Sequence, residues 1–385
     1  MKPIPFNKPF LTGNEAGYIL DAVQTGKISG NGKYTKLCHQ LLSKNYGFKK
    51  CLLTTSCTDA LEMAAILIGI GEGDEVILPS YTFVSTANAF VLRGASLVFA
   101  DSDAGNPNID AAGIEDLVTT RTKAIVVIHY AGVACDMDEV MSIANRHNLF
   151  VIEDAAQAID GYYTNNAGHR VPLGSIGHLA AFSFHETKNV ISGEGGMLVI
   201  NDDRFADRAE IIWEKGTNRA AFFRGEIDKY NWVDIGSSFL PSEIIAAFLY
   251  AQLEQIQPIQ RRRIAIWERY MEGLANLEKN GCLILPKIPG YAATNGHLFY
   301  ILCKDATERD GLIAILKNDH IMAVFHYISL HQSPFFATKH DGRKLANSDR
   351  YSERLLRLPL YFELENEEQQ KIIDNIHSFY ALTKI

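Results

Sequence analysis

The chain has 385 residues, of which 47% are hydrophobic and 21% are charged, and its formal net charge is −8. This composition excludes a disordered protein, and the length predicts a large domain with a smaller one. The negative charge argues against nucleic acid or an anionic membrane as a partner. The six cysteines lack zinc-like spacing, and neither an apolar signal segment nor a membrane-spanning stretch occurs. We therefore expect a cytoplasmic protein without a metal site.

Short apolar runs alternate with segments of helical periodicity between about residues 50 and 200. The segments Thr58–Ile68 and Asp136–His147 are predicted helices. Such alternation predicts a mainly parallel sheet that is wrapped by helices. The seven predicted strands are rich in Val, Ile, Leu and Phe, as burial on both faces requires: Cys51–Thr54, Glu75–Leu78, Ser96–Phe99, Ala124–Ile128, Phe150–Ile152, Ala180–Phe184 and Met197–Ile200.

Beyond the last predicted strand the pattern becomes mostly helical. Ser242–Ile256 carries apolar residues at helical spacing, and a further helix follows with Arg261-Arg262-Arg263 near its beginning. We interpret these three arginines as a solvated helix face. The predicted boundaries are a large domain over residues 1–255, including an N-terminal arm, and a smaller C-terminal domain over residues 256–385.

Two residues predict the chemistry. Asp154 follows the apolar run Leu149–Ile152, and Lys188 follows 34 residues later. Either residue alone is more often a cap or a surface charge. Together they provide what a pyridoxal phosphate (PLP) enzyme needs, namely a carboxylate for the pyridine nitrogen and an amine for the cofactor aldehyde. Asp154 is expected at the carboxyl end of the sheet, where open α/β sheets bind ligands.

The segment Thr54–Leu61 runs from a predicted strand into a predicted helix and places several hydroxyl groups at the helix N-terminus. Free backbone N–H groups at that position favour a phosphate, but simple N-capping uses the same groups, and both readings stay open. Phe83 follows the next strand and is either a core residue or a ring that stacks on a planar cofactor.

These motifs, taken together in their chain order, resemble the DegT/DnrJ/StrS family of sugar-nucleotide aminotransferases, which are PLP enzymes of fold type I. The resemblance implies an aspartate aminotransferase-like α/β fold with a seven-stranded, mainly parallel sheet and a smaller α+β C-terminal domain. The motifs that carry it are Cys57-Thr58 with Leu61, Pro79-x-x-Thr82-Phe83, Glu153-Asp154-Ala155-Ala156-Gln157, Gly174-x-x-Gly177, Ser183-Phe184, Lys188 and Gly193-Glu194-Gly195-Gly196.

Longer runs are similar to one subgroup of the family, the transaminases that form dTDP-4-amino-4,6-dideoxy-D-galactose for enterobacterial common antigen. Examples are Ser183–Asn189, Glu214–Arg219 and Met322–Ile328. The resemblance implies transfer of the amino group of L-glutamate to dTDP-4-keto-6-deoxy-D-glucose, with 2-oxoglutarate as the second product and pyridoxamine phosphate as the intermediate cofactor form. The product would enter a cell-surface polysaccharide such as O-antigen.

The resemblance also implies roles for single residues. Lys188 would be bonded to the cofactor, Asp154 would pair with its pyridinium nitrogen, and Gln157 would lie beside its ring. The implied phosphate ligands are Thr58, Ser183 and the backbone amide of Cys57, with Ser238 reaching the phosphate from the neighbouring subunit of a homodimer with shared active sites.

For the sugar we predict contacts from His326 and Tyr327, and from His331 in the same polar and aromatic cluster. A purely structural role for these histidines is the alternative. The nucleotide diphosphate is predicted to bind basic residues between 217 and 232 through charge-assisted hydrogen bonds, although ordinary solvation explains such residues equally well. The candidates are Arg219, Arg224 and Lys229.

Three residues depart from the common family pattern. Cys57 stands where many members have Gly, Ser238 where many have Asn, and Ser329 where a proline is usual. The first two also fit the dideoxygalactose subgroup, whereas the third leaves the shape of its loop open. The alternatives are amination at C3 or to the gluco C4 epimer, a PLP dehydratase, which Lys188 argues against, and a non-catalytic regulator. Preference between dTDP and UDP also stays open.

Overall fold

The computed structural model describes residues 3–382, so the outermost residues of both predicted domains, 1–2 and 383–385, lie outside the described part. The helices are α1 Glu15–Gln24, α2 Lys33–Tyr46, α3 Cys57–Leu67, α4 Val84–Val91, α5 Met137–His147, α6 Ala206–Trp213, α7 Arg219–Phe223, α8 Glu243–Glu254, α9 Ile256–Lys279, α10 Ala306–Asn318, α11 Ala346–Arg354 and α12 Asn366–Leu382. The strands are β1 Lys50–Thr54, β2 Glu75–Pro79, β3 Ser96–Ala100, β4 Thr122–Ile128, β5 Phe150–Asp154, β6 Tyr162–Thr164, β7 Arg170–Pro172, β8 Leu179–Ser183, β9 Gly196–Ile200, β10 Ala292–Ala293, β11 Phe299–Leu302 and β12 Leu355–Leu358.

A seven-stranded sheet in the order β1-β9-β8-β5-β4-β2-β3 forms the centre of the molecule. The strands β8, β5, β4, β2 and β3 pair in parallel, and β9 is antiparallel to both of its neighbours. All seven predicted strands are confirmed within one or two residues. The predicted α/β fold with a mainly parallel sheet is likewise confirmed.

The strands alternate their side chains between two buried layers, which explains why the sequence shows continuous apolar runs. On β4, Val127 packs in the layer with α2, α5 and α8, whereas Val126 packs in the layer with α3, α4 and α6. Asp136 and Ser242 cap α5 and α8 at their N-termini by accepting backbone N–H groups of Glu139 and Ile245. The predicted helices are thus confirmed with small shifts at their ends.

The C-terminal part has an apolar core of its own. Residues from α9, α10, α12 and the antiparallel pair β11–β12 pack together, and Ile4 of the N-terminal arm joins them through a bridge to Ile321. Helix α9 begins in the sheet core at Ile256 and continues into this second core at Ile266. The boundary at residues 255/256 stays a prediction, because α9 contributes to both cores.

The solvated face predicted for Arg261-Arg262-Arg263 is wrong for two of the three arginines. Arg263 is buried and donates to the carbonyl oxygens of Gly296 and His297 at 3.0 and 2.6 Å. Arg262 donates to the carbonyl oxygen of Phe362 at 3.2 Å. These acceptors come from loops distant in sequence, so the helical pattern alone could not reveal them.

Candidate active site

A cavity of about 830 Å³ lies at the carboxyl ends of the parallel strands, between the sheet and the C-terminal core. Its volume is within the usual range for small-molecule sites. The sheet side is formed by residues at or just after strand ends, and the opposite wall by residues 324–327 and β12. Among the predicted residues the cavity brings together Cys57, Thr58, Phe83, Asp154, Gln157, Ser183, Lys188, His326 and Tyr327.

Asp154, the last residue of β5, is buried at the floor of this cavity. One carboxylate oxygen, Oδ2, accepts the hydroxyl of Thr86 at 2.6 Å, and Oδ1 accepts the backbone N–H of Ala156 at 3.1 Å. Burial raises the pKa of Asp154, while these two hydrogen bonds and the nearby Lys188 act in the opposite direction. A cationic ring nitrogen placed here would favour the ionised carboxylate further.

Lys188 lies in the loop between β8 and β9 and lines the same cavity. The loop is held by backbone hydrogen bonds, among them Lys188 N–H to the carbonyl of His185 at 2.9 Å and Ser192 N–H to the carbonyl of Phe184 at 2.7 Å. Burial lowers the pKa of the Lys188 amine, and the nearby Asp154 partly offsets this. A lowered pKa increases the neutral fraction of the amine, which is the form that attacks a carbonyl carbon.

The first turn of α3 faces the cavity. Ser56 is the N-cap residue and accepts the backbone N–H of Asp59 at 3.0 Å, so the capping interpretation of this segment holds. Thr58 in the first turn donates its hydroxyl to Ser85 at 2.9 Å, and both residues line the cavity. The helix end therefore presents hydroxyl groups and a partial positive charge where an anion could bind.

Aromatic residues form the wall above Asp154. Phe83 lines the cavity with 55% of its surface exposed, so it is not a core residue, and its ring lies 6.1 Å from that of Tyr327. The Tyr327 hydroxyl accepts Nε2 of Gln157 at 3.0 Å, and Oε1 of Gln157 accepts the backbone N–H of Ala131 at 2.7 Å. Gln157 is thereby fixed in one orientation beside the cavity.

His326 stacks on Tyr327 with ring centres 3.6 Å apart, and its Nδ1 is 2.7 Å from the hydroxyl of Tyr130. Burial lowers the pKa of His326 well below its ordinary value, and the charges of Arg357 and Lys188 lower it further. The imidazole is therefore neutral at physiological pH. A neutral ring that both donates and accepts suits uncharged hydroxyl groups.

His331, in contrast, is directed away from the cavity. Its Nδ1 is 2.7 Å from the Ser80 hydroxyl, and its Nε2 is 3.5 Å from Asp349, so the ring links the sheet to α11. The predicted contact of His331 with the sugar is not supported by this position. The loop between Tyr327 and His331 separates residues that the sequence places close together.

The predicted diphosphate ligands also lie outside this cavity. Arg224 forms ion pairs with Glu210 and Glu226, each at 2.7 Å, and Lys229 is an exposed residue of the same loop. Arg219 and Ser238 line a second cavity of about 550 Å³, together with Lys27, Asn31 and Lys215. Within one chain these residues therefore do not reach Lys188.

Several residues that complete the site are not among the predicted site residues. Thr86 lies four positions after Thr82, and their hydroxyl oxygens are 3.1 Å apart. Arg357 and His297 come from the C-terminal part and line the cavity beside Lys188. The four-residue spacing of Thr82 and Thr86 in the sequence indicates that their side chains are neighbours. No sequence spacing indicates that Arg357 and His297 of the C-terminal part reach the cavity.

Most of the chain is similar to one protein family. The model of the DegT/DnrJ/EryC1/StrS aminotransferase family matches residues 10–377. The chain belongs to this family. Members of this family are PLP-dependent sugar aminotransferases, and the present protein is such an enzyme. The predicted activity class and cofactor are therefore confirmed.

Individual relatives support the same assignment. The spore coat polysaccharide biosynthesis protein SpsC of Bacillus subtilis is 33% identical over 383 residues, which cover 97% of this chain and 96% of SpsC. The aminotransferase TlmJ from Streptoalloteichus hindustanus has a TM-score of 0.90 at 27% identity, covering 99% of this chain and all of TlmJ. NtdA from Bacillus subtilis, solved with bound cofactor PMP, has a TM-score of 0.84 at 26% identity, covering 96% of this chain and 82% of that one.

The residues of the cavity fit pyridoxal phosphate. A buried carboxylate at a strand end, an amine of lowered pKa and a helix N-terminus with hydroxyl side chains face one space of suitable volume. Among residues 3–382, no group of three or more His, Cys, Asp or Glu side chains is arranged to hold a metal ion. No helix in this part of the chain is long and apolar enough to cross a bilayer.

Proposed function

We propose that the enzyme transfers the amino group of L-glutamate to C4 of dTDP-4-keto-6-deoxy-D-glucose and forms dTDP-4-amino-4,6-dideoxy-D-galactose. The observation that carries this proposal is the convergence of Lys188, Asp154 and the pair His326–Tyr327 on one cavity. The long sequence runs that resemble the dideoxygalactose subgroup support the choice of sugar. SpsC, a relative of similar length, is a polysaccharide biosynthesis protein.

In this proposal Lys188 is both the attachment point of the cofactor and the group that moves the proton at the reacting carbon. Bound pyridoxal phosphate supplies an electron sink for the bonds of that carbon. Asp154 keeps the proton on the pyridine nitrogen, because an ionised carboxylate stabilises the charged ring. Lys188 acts as base and acid since its amine, tethered beside the substrate carbon, has a pKa lowered by burial.

The remaining contacts divide between phosphate and sugar. We assign the cofactor phosphate to Thr58, Ser183 and the backbone N–H of Cys57, which lie at the N-terminus of α3 and the end of β8. Phe83 would stack on the cofactor ring. The neutral His326 and Tyr327 would bind hydroxyl groups of the sugar.

We further propose a homodimer with shared active sites, in which the second cavity with Ser238 and Arg219 faces the cofactor phosphate and substrate diphosphate of the partner subunit. The reason is that these residues line a basic cavity separated from Lys188 within their own chain. Lys229 and Arg224 would lie at the edge of this surface. A cytoplasmic location fits a nucleotide-sugar substrate.

The test is incubation of the holoenzyme with L-glutamate and dTDP-4-keto-6-deoxy-D-glucose, followed by NMR assignment of the product ring from its coupling constants. An axial C4 amine is expected. An equatorial C4 amine or a C3 amine from the matching keto sugar would keep the transamination and contradict the proposed product. Parallel reactions with the UDP sugar determine the nucleotide preference.

A further inference from the structure

Arg357 occupies the wall of the active-site cavity opposite Asp154. It lies in β12, where its backbone pairs with Tyr300 of β11 and forms two hydrogen bonds with Val324. Its guanidinium group lies 4.6 Å from the ring centre of Phe6, and Nη2 donates to the carbonyl oxygen of Phe325 at 3.0 Å. The side chain is thus positioned by both the N-terminal arm and the C-terminal core.

The positive charge of Arg357 has no carboxylate to balance it. Among residues 3–382, no Asp or Glu oxygen lies within 4.0 Å of its guanidinium nitrogens, and its Nε is buried without an acceptor. Burial lowers the pKa of Arg357, but a guanidinium group stays protonated in proteins. A half-buried cation without a counter-ion is unfavourable, which makes a bound anion the expected partner.

The other arginine of the cavity provides a useful contrast. Arg263 is more deeply buried, and its guanidinium donates to the backbone carbonyls of Gly296, His297 and Leu360. His326 and His297 are neutral because burial lowers their pKa values well below the ordinary value. In contrast to Arg263, whose Nε donates to Gly296, Arg357 has an Nε without an acceptor and therefore keeps a donor for a ligand.

We propose that Arg357 binds a carboxylate of the amino donor, a role that rests on the proposed transamination. The carboxylate on the reacting carbon must lie beside Lys188, and Arg357 lines the same cavity. Burial lowers the pKa of Lys188, and the charge of Arg357 acts in the same direction. A nucleotide diphosphate is the alternative anion, but the hexose ring separates it from C4.

The planar fork of Arg357 suits a carboxylate, which accepts two parallel N–H groups. The ring of Phe6 covers one side of the guanidinium group. The carboxylate bound to Arg357 would leave as part of 2-oxoglutarate after the first half-reaction. Arg357 would then face the uncharged sugar, which explains why one cavity accepts two chemically different substrates in turn.

The experiment measures binding by calorimetry to the holoenzyme, with glutarate as a dicarboxylate that lacks an amine and cannot react, and with dTDP in a separate titration. We expect R357Q to weaken glutarate binding by roughly 10-fold to 100-fold, the range for lost hydrogen bonds to a charged group, and to leave dTDP binding unchanged. R357K should restore part of the affinity, because it keeps the charge but not the fork.

The matched control is R354Q. Arg354 is also half-buried with an Nε that lacks an acceptor, but it does not line the cavity. Glutarate affinity should equal that of the wild type in this variant, and the visible absorbance of the bound cofactor should be unchanged in all variants.

If R357Q and R357K fail to retain the cofactor, a second measurement uses the wild-type enzyme. Its kinetics are measured with decarboxylated amino donors, such as 4-aminobutyrate. Efficient use of these amines would overturn the proposal.

The outcomes separate this inference from the sugar assignment. Unchanged glutarate binding in R357Q, or no glutarate binding by the wild type, overturns the role of Arg357 even if the keto sugar is aminated. Loss of dTDP affinity in place of glutarate affinity assigns Arg357 to the diphosphate and also overturns it. Loss of glutarate affinity in an enzyme that does not aminate the keto sugar supports Arg357 while rejecting the proposed sugar.

Discussion

Two threonines hold the carboxylate of Asp154 in position. Thr86 donates to Oδ2 at 2.6 Å, and the hydroxyl of Thr82 lies 3.1 Å from that of Thr86. A hydroxyl that donates to a carboxylate stabilises its ionised form. Thr86 is therefore a positioning residue for Asp154, and its effect should be visible in the pH dependence of the reaction.

We expect Thr86→Val to lower kcat by about 10-fold, because loss of one hydrogen bond to a charged group is worth about 1.5 kcal/mol or more. Burial already raises the pKa of Asp154, and removal of the Thr86 hydroxyl should raise it further. The acidic limb of the kcat profile should then move to higher pH, because Asp154 becomes protonated earlier as the pH falls. Thr86→Ser keeps the hydroxyl and should retain the wild-type profile, so an unshifted limb in the Val variant would argue against this role.

Lys188→Ala should abolish turnover while the protein remains folded. Loss of a positioned acid or base alone costs roughly 10²-fold to 10⁴-fold in rate, and attachment of the cofactor is lost as well. Steady-state amination and the visible spectrum of the protein measure both effects. Lys49→Ala is the control, because Lys49 is exposed and paired with Asp203 at 3.3 Å. Transamination retained by Lys188→Ala would reject Lys188 as the catalytic lysine.

The positions of Asp154 and Lys188 could be predicted because each depends on one strand and the loop that follows it. Arg357 and His331 show the opposite case. Arg357 reaches the cavity only because β12 pairs with β11 and with Val324. His331 is turned toward Ser80 and Asp349, although it is only five positions from His326. Contacts between distant segments determine the positions of both side chains, and no local sequence pattern predicts these contacts.

At the scale of elements, the alternation of β5 gives two adjacent carboxylates different roles. Asp154 faces the cavity, whereas Glu153 accepts backbone N–H groups of Gly174, Ile176 and Gly177 at 2.6–2.8 Å and lies 2.8 Å from His129. Burial raises the pKa of Glu153, but His129 and the N–H groups lower it more, so the net pKa is below its ordinary value. The Gly174-x-x-Gly177 motif thus supplies backbone N–H donors to the buried carboxylate of Glu153.

The junction between α2 and β1 contains a pH-sensitive group. Nε2 of His39 accepts the backbone N–H of Leu53 at 3.0 Å, and burial lowers the pKa of His39 to about 4. The unfolded chain binds the proton near pH 6.5, so stability should be complete above that pH and should fall as the pH drops toward 4. The loss is at most about 1.4 kcal/mol per pH unit from this residue.

Urea unfolding at several pH values measures this effect. His39→Gln keeps an acceptor for the Leu53 N–H and should flatten the decline between pH 6.5 and 4. His147→Gln is the control, because His147 lies at the surface beside Glu115 at 2.9 Å. An equal pH dependence in wild type and His39→Gln would assign the decline to other groups.

At the scale of the whole molecule, the loop region from α7 to Ser238 exposes several large apolar side chains. Trp232 and Phe223 expose 81% and 68% of their surface, and Val233 exposes 51%. Arg219 and Ser238 line a cavity that does not contain Lys188. Apolar side chains exposed in such number are typical of a surface that binds another protein. A second copy of this chain is the partner that the proposed shared site requires.

Subunit complementation tests this arrangement. Ser238→Asp places a negative charge where the partner's cofactor phosphate is proposed to bind, and it should inactivate the enzyme, as Lys188→Ala does. Mixed dimers contain one site with both defects and one intact site, so random mixing should restore about a quarter of the wild-type activity. No recovery after mixing would contradict shared active sites, provided that sedimentation shows dimers.

The most direct test of the account is to locate the cofactor on the chain. Reduction of the holoenzyme with borohydride fixes pyridoxal phosphate to the amine that holds it, and proteolysis with mass spectrometry then identifies the modified lysine. We predict a single modification at Lys188, because its amine lines the cavity with Asp154. Modification of another lysine, or of none, would contradict the active site described above.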